Sequence, residues 1–132
     1  ARIVAGNADK EQGPVKDIFA KPLFIDIALK ANKSIDFPVV NGHTVFLYIF
    51  EGNLGLATGA SVTHSAGDVL LLERTGSTVQ VQAGPVGVRF LIVSGKPINE
   101  TIAWYGPIVM NTKEELETAF SQLKTGDFIV KK

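Results

Sequence analysis

The chain has 132 residues and a mass of 14.1 kDa, which suits one domain with a real core and is too small for two ordinary ones. Thirteen basic residues balance thirteen acidic ones, so the chain lacks the field that draws proteins to nucleic acid or to an anionic membrane. The absence of cysteine excludes disulfides, thiolate metal sites and a cysteine nucleophile.

The sequence has no targeting or membrane signal that we can identify. No apolar run approaches the roughly 20 residues that a membrane helix needs, and the N-terminal Ala1-Arg2-Ile3-Val4 has no signal-peptide pattern. We therefore expect a cytoplasmic protein with neither nucleic acid nor membrane as a partner. Ala1 fits either the removal of an initiator methionine or the cut end of a longer protein.

The first half of the chain alternates apolar and other residues with a period of two. Residues 23–30 predict a strand with one apolar face, made by Leu23, Ile25, Ile27 and Leu29. Residues 44–51 are apolar on both faces, which predicts a strand covered on both sides, as in a barrel wall packed against another layer. Residues 51–53 then predict a tight reversal, followed by a short return strand over 54–58.

Four further short strands follow, at 61–65, 68–72, 78–82 and 87–94. Glycine-bearing segments separate the predicted strands, at Gly59, 66–68, 75–77 and 83–85, and glycine supplies the positive φ that tight hairpin turns need. Short strands with turn signals at this spacing are typical of a sandwich or a barrel. We predict an all-β fold of the jelly-roll barrel type.

A single helix is predicted at about 113–124. Thr112 and Glu115 form a capping box at its start, and Gly126 fits its end. One apolar stripe recurs at helical spacing and must be buried, so we expect the helix to pack on the outside of the barrel; the stripe consists of Leu116, Ala119, Phe120 and Leu123. With no linker in the sequence, residues 1–132 are predicted to form one domain.

Two parts of the sequence resemble a known family. The segment 95–116, which begins Gly95-Lys96-Pro97 and ends in the capped helix, resembles the C-terminal signature of the pirin family. Upstream, the residues GHTVF at 42–46 and FEG at 50–52 resemble the second cupin domain of the same family. Thr101 stands where the family usually has proline. The resemblance spans most of the chain and implies a cupin-type jelly roll.

The resemblance also implies an architecture and a set of activities. A pirin-like protein has two cupin domains, and its N-terminal cupin holds a metal, usually iron, through three histidines and one glutamate. Bacterial members resemble quercetin 2,3-dioxygenases, and the animal member is described as a nuclear transcription cofactor. This chain matches only the second half. The resemblance therefore implies an N-terminal cupin, or another copy of the protein, as partner, and a flavonol as substrate of the parent.

The histidines argue against a metal site in this chain. A cupin iron needs two or three imidazoles and often a carboxylate, and the chain has two histidines, His43 and His64. Neither belongs to a His-x-His pair, the spacing that places two rings on one face of a strand. We expect a loop or strand-end position for His43 and a solvent-facing one for His64. We thus predict no metal ligand, no catalytic residue and no cofactor in this chain.

The family comparison places residues without ligating side chains at the four ligand positions. By resemblance, the His-x-His positions fall on Pro38 and Val40, and the remaining two fall on Gln80 and Gln82. Gln80 and Gln82 share one face of a strand. If that face were the barrel interior, their amides would require a small polar cavity with ordered water, bounded by all four residues. We favour the alternative, in which the two glutamines face solvent or a crowded barrel interior that holds no ligand.

The densest apolar and aromatic cluster outside the predicted strands lies at 104–110. It contains Trp104, Tyr105, Ile108 and Met110, together with Val109. These residues either pack on the barrel and anchor the helix, which we favour, or form an interface with a partner domain.

Three functions follow. The first is a metal-free C-terminal cupin with a structural or interaction role, supporting a metal-binding N-terminal cupin. The alternative is part of a flavonol-cleaving metalloenzyme of the quercetin 2,3-dioxygenase type, with its catalytic site in the N-terminal half. The third is a module that binds a protein partner through residues 97–110. The chain alone is not expected to be an enzyme.

Overall fold

A computed structural model describes residues 1–8, 11–56 and 63–129. Within these residues the chain is mostly β, and its single helix is α1 (Lys113–Thr125). The strands are β1 (Arg2–Ala5), β2 (Asn7–Ala8), β3 (Glu11–Gln12), β4 (Leu23–Leu29), β5 (Ser34–Pro38), β6 (Thr44–Leu56), β7 (Thr63–Ser65), β8 (Val69–Leu71), β9 (Thr78–Gly95), β10 (Ala103–Tyr105) and β11 (Ile108–Met110). In this described part, no helix is long and apolar enough to cross a membrane.

The backbone divides into two compact units, Ala1–Pro97 and Ile98–Lys132. The first unit contains a seven-stranded sheet in the order β1-β4-β9-β6-β7, with β5 paired to β9 and β8 paired to β6. Antiparallel pairing joins β6 and β9 along most of their length, from Thr44–Gly95 at one end to Leu56–Val81 at the other. The two long strands therefore carry the sheet from one layer of a sandwich into the other.

The long strands bend at bulges rather than ending in turns. The register between β6 and β9 shifts between Ile49 and Glu51 and again between Gly52 and Leu54. Gly52 has a φ of 73° and Gly87, on the partner strand, a φ of 85°. The predicted reversal at 51–53 and the predicted turn at 83–85 are therefore wrong. These bulges place glycine at positive φ, as tight hairpin turns often do, so the two look alike in sequence.

The core of this unit lies on one face of the bent sheet. Alternate residues of β4, β6 and β9 are buried there, and they join residues of β5 and the far ends of β6 and β9 in one apolar cluster: Ile25, Ile27, Phe37, Val45, Leu47, Ile49, Leu54, Val79, Val81, Ala83, Val88, Phe90 and Ile92. The predicted apolar face of residues 23–29 is confirmed. On β6, one predicted covered face is buried, and the other, with Phe46 and Tyr48, is half-buried.

A charged pair ties β4 to β9 on the opposite face of the sheet. The Arg89 guanidinium donates to both carboxylate oxygens of Asp26, at 3.0 and 2.7 Å, and lies 5.7 Å from the ring centre of Phe50. The hydrogen bond from Arg89 holds the pKa of Asp26 below its ordinary value. Because the pair is open to solvent, its contribution to stability is small and falls with salt.

The second unit is a hairpin covered by a helix. Strands β10 and β11 pair antiparallel, with Trp104 opposite Val109, so the segment predicted to lie outside a strand forms two. The predicted capping box is confirmed, since the Thr112 hydroxyl accepts from the Glu115 N–H at 3.1 Å and the Glu115 carboxylate accepts from the Thr112 N–H at 3.1 Å. The predicted stop at Gly126 is confirmed too.

The helix buries its apolar stripe on that hairpin. Leu116 and Ala119 of α1 and Ile108 of β11 form a small buried cluster, with Ala103, Met110 and Phe120 packed against it. Leu123, at the end of the stripe, is partly exposed. The helix bounds of 113–124 match the observed ones to one residue. That residues 1–132 form one domain stays a prediction.

Two of the predicted short strands are shorter than expected. The strand predicted at 61–65 is observed as Thr63–Ser65, with residues 61 and 62 outside the described part. The strand predicted at 68–72 is observed as Val69–Leu71. Residues 54–56 continue β6, whereas residues 57 and 58 of the predicted return strand, and Gly59 after them, also lie outside the described residues.

Candidate functional site

A polar contact lies where β6 begins and β9 ends. His43 directly precedes β6, and its backbone N–H donates to the Val40 carbonyl at 3.1 Å. Its ring Nδ1 lies 3.3 Å from the Ser94 hydroxyl. Ser94 is 3% exposed and is the single buried polar residue among those the structure describes. The expected strand-end position of His43 is therefore what the structure shows, but the histidine also contacts a hydroxyl at the end of the core.

A cleft of about 360 Å³ opens beside this contact. We call it the His43 cleft, and its lining includes Asn7, Lys21, Pro38, Val40, His43 and Ser94. Two of the four residues predicted to bound a residual cavity, Pro38 and Val40, thus lie together here. Sequence reasoning missed the other members. The sequence held one sign of a polar site here. Ser94 is polar although it continues the apolar series Val88, Phe90 and Ile92 on the inner face of β9.

The two glutamines do not line this cleft. Val79, Val81 and Ala83 are buried in the core, so the residues between them point away from it. Gln80 is exposed and its amide donates to the Asp36 carboxylate at 3.4 Å, across the β5–β9 pair. Gln82 is half-buried. Neither glutamine lines the His43 cleft, although Gln80 lies on the same outward face of the β5–β9 pair as Pro38.

The donor atoms of this unit do not fit a cupin iron. Pro38 and Val40 have no side-chain donor, and His64, which was expected to face solvent, is half-buried on β7 opposite Leu54. Over residues 1–8, 11–56 and 63–129, no three His, Asp or Glu side chains group closely enough to hold a metal ion. A facial triad of imidazoles and carboxylate therefore cannot be built from these described residues.

The second unit presents an aromatic surface. Trp104 and Tyr105 are 71% and 72% exposed. Together with α1 they border a groove of about 470 Å³, which is also lined by Lys113, Leu116, Glu117, Phe120, Ser121 and Lys124. The indole N–H of Trp104 donates to the Gly106 carbonyl at 2.7 Å, and the Tyr105 ring meets the Phe120 ring edge-to-face at 5.5 Å. These contacts hold the two exposed rings in place.

The four residues predicted as an interface are divided by the structure. Trp104 and Tyr105 lie on the surface, whereas Ile108 is buried under the helix and Met110 is half-buried beside it. We use the name "aromatic surface" for Trp104, Tyr105 and the groove between them and α1. Ile108 and Met110 anchor the helix.

Solved structures identify the fold as a cupin. The chain superposes with a TM-score of 0.85 on a quercetin 2,3-dioxygenase from Acinetobacter baumannii, at 28% identity, over 96% of this chain and 42% of that one. A protein from Geobacillus kaustophilus shares the fold at a TM-score of 0.64 and 21% identity, over 74% of this chain and 40% of that one.

Sequence comparison identifies the family. A family model described as "Pirin C-terminal cupin domain" matches residues 24–129. A Caulobacter vibrioides protein named "Pirin-like protein" is 33% identical over 88% of this chain and 40% of its own length. This chain belongs to the pirin family, as its C-terminal cupin domain.

The relatives are longer than this chain. A Thermoplasma acidophilum protein named "Putative quercetin 2,3-dioxygenase" is 33% identical over 97% of this chain and 50% of its own length. The chain thus spans half or less of the curated relatives described above.

Proposed function

We propose that this chain is the metal-free half of a two-cupin pirin-like protein and that it supports a metal-bearing N-terminal cupin. The main support is the pair Pro38 and Val40: both line the His43 cleft, and by family resemblance they stand at the positions of the metal-bearing cupin's His-x-His ligands. The interior of the sheet is filled by an apolar core of thirteen buried residues. A filled apolar interior favours a structural role over a catalytic one.

The alternative places the chain in an oxygenase. Under it, the parent protein cleaves flavonols with dioxygen at an iron, or another divalent metal, held in the N-terminal half. The names of the relatives favour this activity for a protein of full length. The present half would contribute no metal ligand, so its role in such an enzyme would be to stabilise and position the catalytic half.

The aromatic surface is the part of this chain that we assign to the partner half. Tryptophan and tyrosine are enriched at protein interfaces, and a ring held by its neighbours loses little entropy when a partner covers it. Lys113, Glu117 and Lys124 border the groove and would form a polar rim. The relatives' additional length, at least as great as this chain, is enough for a second cupin to cover it.

Trp104→Ala tests this assignment. We expect it to weaken association of this chain with the separately produced N-terminal half by at least about tenfold, since interface tryptophans are often hot spots. The free energy of unfolding should change by only about 0.5 kcal/mol, because the ring is mostly exposed. Isothermal titration calorimetry and urea unfolding measure the two quantities.

Ile108→Ala is the matched control from the same hairpin. Its side chain is buried, so it should lose about 2–4 kcal/mol of stability. Unchanged association with lost stability in Trp104→Ala would assign the indole to folding and contradict the interface. A different result would support self-association instead. In that case neither the unsubstituted chain nor Trp104→Ala would bind the N-terminal half, and Trp104→Ala would lose association with a second copy of this chain.

A further inference from the structure

We propose that the His43 cleft binds a small organic acid, whose carboxylate meets His43 and Lys21 and whose apolar body lies against Pro38 and Val40. The proposed site consists of residues of this chain alone. It rests on a buried hydroxyl, a single charge and an apolar wall that converge on one cleft.

The buried hydroxyl is the first observation. Ser94 continues a strand face whose other members are apolar, and a valine there would suit both the strand and the core. Its Oγ lies 3.3 Å from His43 Nδ1, so the serine fixes the orientation of the ring. Among the residues described, the ring has no side-chain hydrogen-bond partner other than Ser94, and His43 lines the cleft.

The charge of the lining is the second observation. Among the described residues that line the cleft, Lys21 is the one Lys, Arg, Asp or Glu, and none of them is a carboxylate. An amine without a competing acid favours an anion. The Asn7 amide adds a neutral donor to the same cleft.

The backbone of Lys21 is the third observation. Its φ of 46° lies in the left-handed region, which a lysine seldom adopts and which costs about 1 kcal/mol or more. Two bonds hold the loop there: Lys21 N–H donates to the Ile18 carbonyl at 2.9 Å, and Lys96 N–H donates to the Ala20 carbonyl at 2.7 Å. The loop that carries the amine is thus fastened to the end of β9, beside Ser94.

The size and the walls limit the ligand. One side of the cleft is apolar and consists of Pro22, Leu23, Pro38, Val39 and Val40. The Val40 side chain is 60% exposed. A volume of about 360 Å³ is at the small end of ligand pockets. An acid with one ring or a short branched chain fits this combination, whereas a free inorganic anion would leave the apolar wall uncovered.

Benzoate is the probe, followed by ¹⁵N NMR titration of the purified chain. We expect saturable shifts at the amides of Asn7, His43 and Ser94, with a Kd below about 5 mM. Benzyl alcohol, which keeps the ring but lacks the charge, should bind at least about fivefold more weakly.

Lys21→Gln should raise the Kd for benzoate at least about fivefold. The matched control is Lys30→Gln, at an exposed lysine outside the cleft, and it should leave the Kd within about twofold.

Ser94→Val separates binding from folding. It should leave the urea midpoint unchanged or raise it, because a buried hydroxyl is replaced by an apolar group of similar size. The benzoate shifts should nevertheless weaken at least about threefold, since His43 loses its orienting bond. Four results would each overturn the proposal. They are no saturation up to about 20 mM benzoate, shifts centred away from the cleft, equal binding of benzyl alcohol, and an unchanged Kd in Lys21→Gln.

Discussion

Phe90→Ala is expected to lower the free energy of unfolding by about 3–5 kcal/mol, a large part of the stability of a domain of this size. Phe90 is 1% exposed and lies on β9 between its two partner strands, opposite Ile27 of β4 and Ile49 of β6. Truncation removes a large apolar side chain from the centre of the core and leaves a cavity that the two flanking strands cannot close. Urea unfolding followed by far-UV circular dichroism measures the loss.

Phe19→Ala is the matched control for this prediction. Phe19 is 73% exposed, and Lys96 Nζ lies 5.6 Å from its ring centre, so its loss should cost less than about 1 kcal/mol. Phe90→Leu, which keeps most of the volume, should fall between the two and remain folded if the alanine variant does not. Equal effects of Phe90→Ala and Phe19→Ala would mean that the core is not where the structure places it.

Gly52→Ala is expected to cost about 3 kcal/mol or more, because two penalties act at one residue. Gly52 has a φ of 73°, and a Cβ added there would collide with the backbone carbonyl oxygen of Gly87 on the facing strand. Backbone cannot move aside as a flexible side chain can, so β6 and β9 would have to separate at the bulge. Thermal unfolding by differential scanning calorimetry gives the size of the effect.

Gly42→Ala isolates the contribution of backbone conformation alone. Gly42 has a φ of 86°, but a Cβ there would meet no atom within 4 Å. Its replacement should cost about 1–2 kcal/mol, the ordinary penalty for a left-handed residue with a side chain. The excess in Gly52→Ala is then the cost of the close approach of the two strands. A Gly52→Ala variant no less stable than Gly42→Ala would contradict the observed bulge.

The sequence predicted the elements whose signals are local. The alternation at 23–29 and the capping box at Thr112 and Glu115 each depend on residues a few positions apart, and both were confirmed. The family was predicted from the ordered segment 95–116 and confirmed by the family model. Local spacing therefore indicated the strands and the helix, and motif order indicated the family.

Features that depend on distant pairing were not predicted. Whether Gly52 closes a hairpin or a bulge depends on Gly87, a residue far along the chain, and the local sequence is the same in both cases. The short strands β10 and β11 were also missed, since Gly106 and Pro107 lie between two apolar segments of only three residues each, too short for a periodic pattern. The observed pairing of Trp104 with Val109 shows that a tight hairpin fits there.

The candidate site was predicted in part. Pro38 and Val40 were reached through family resemblance, but the association of His43 with Ser94 joins residues 51 positions apart and has no sequence signature. The serine in an otherwise apolar strand face was the one available clue. The sequence also could not tell which of the apolar residues at 104–110 are exposed, since Trp104 and Ile108 look equally apolar in it. The structure shows that Trp104 is exposed and Ile108 is buried.

The metal content of this chain tests the central proposal most directly. The chain and the proposed two-cupin protein are each incubated with Fe(II) and freed of loose metal by gel filtration. Their metal content is then measured by inductively coupled plasma mass spectrometry. We expect less than about 0.1 iron per copy of this chain and about one per copy of the parent, because Pro38 and Val40 supply no ligand. A stoichiometric metal ion in this chain alone, with quercetin turnover on addition of iron, would contradict the account.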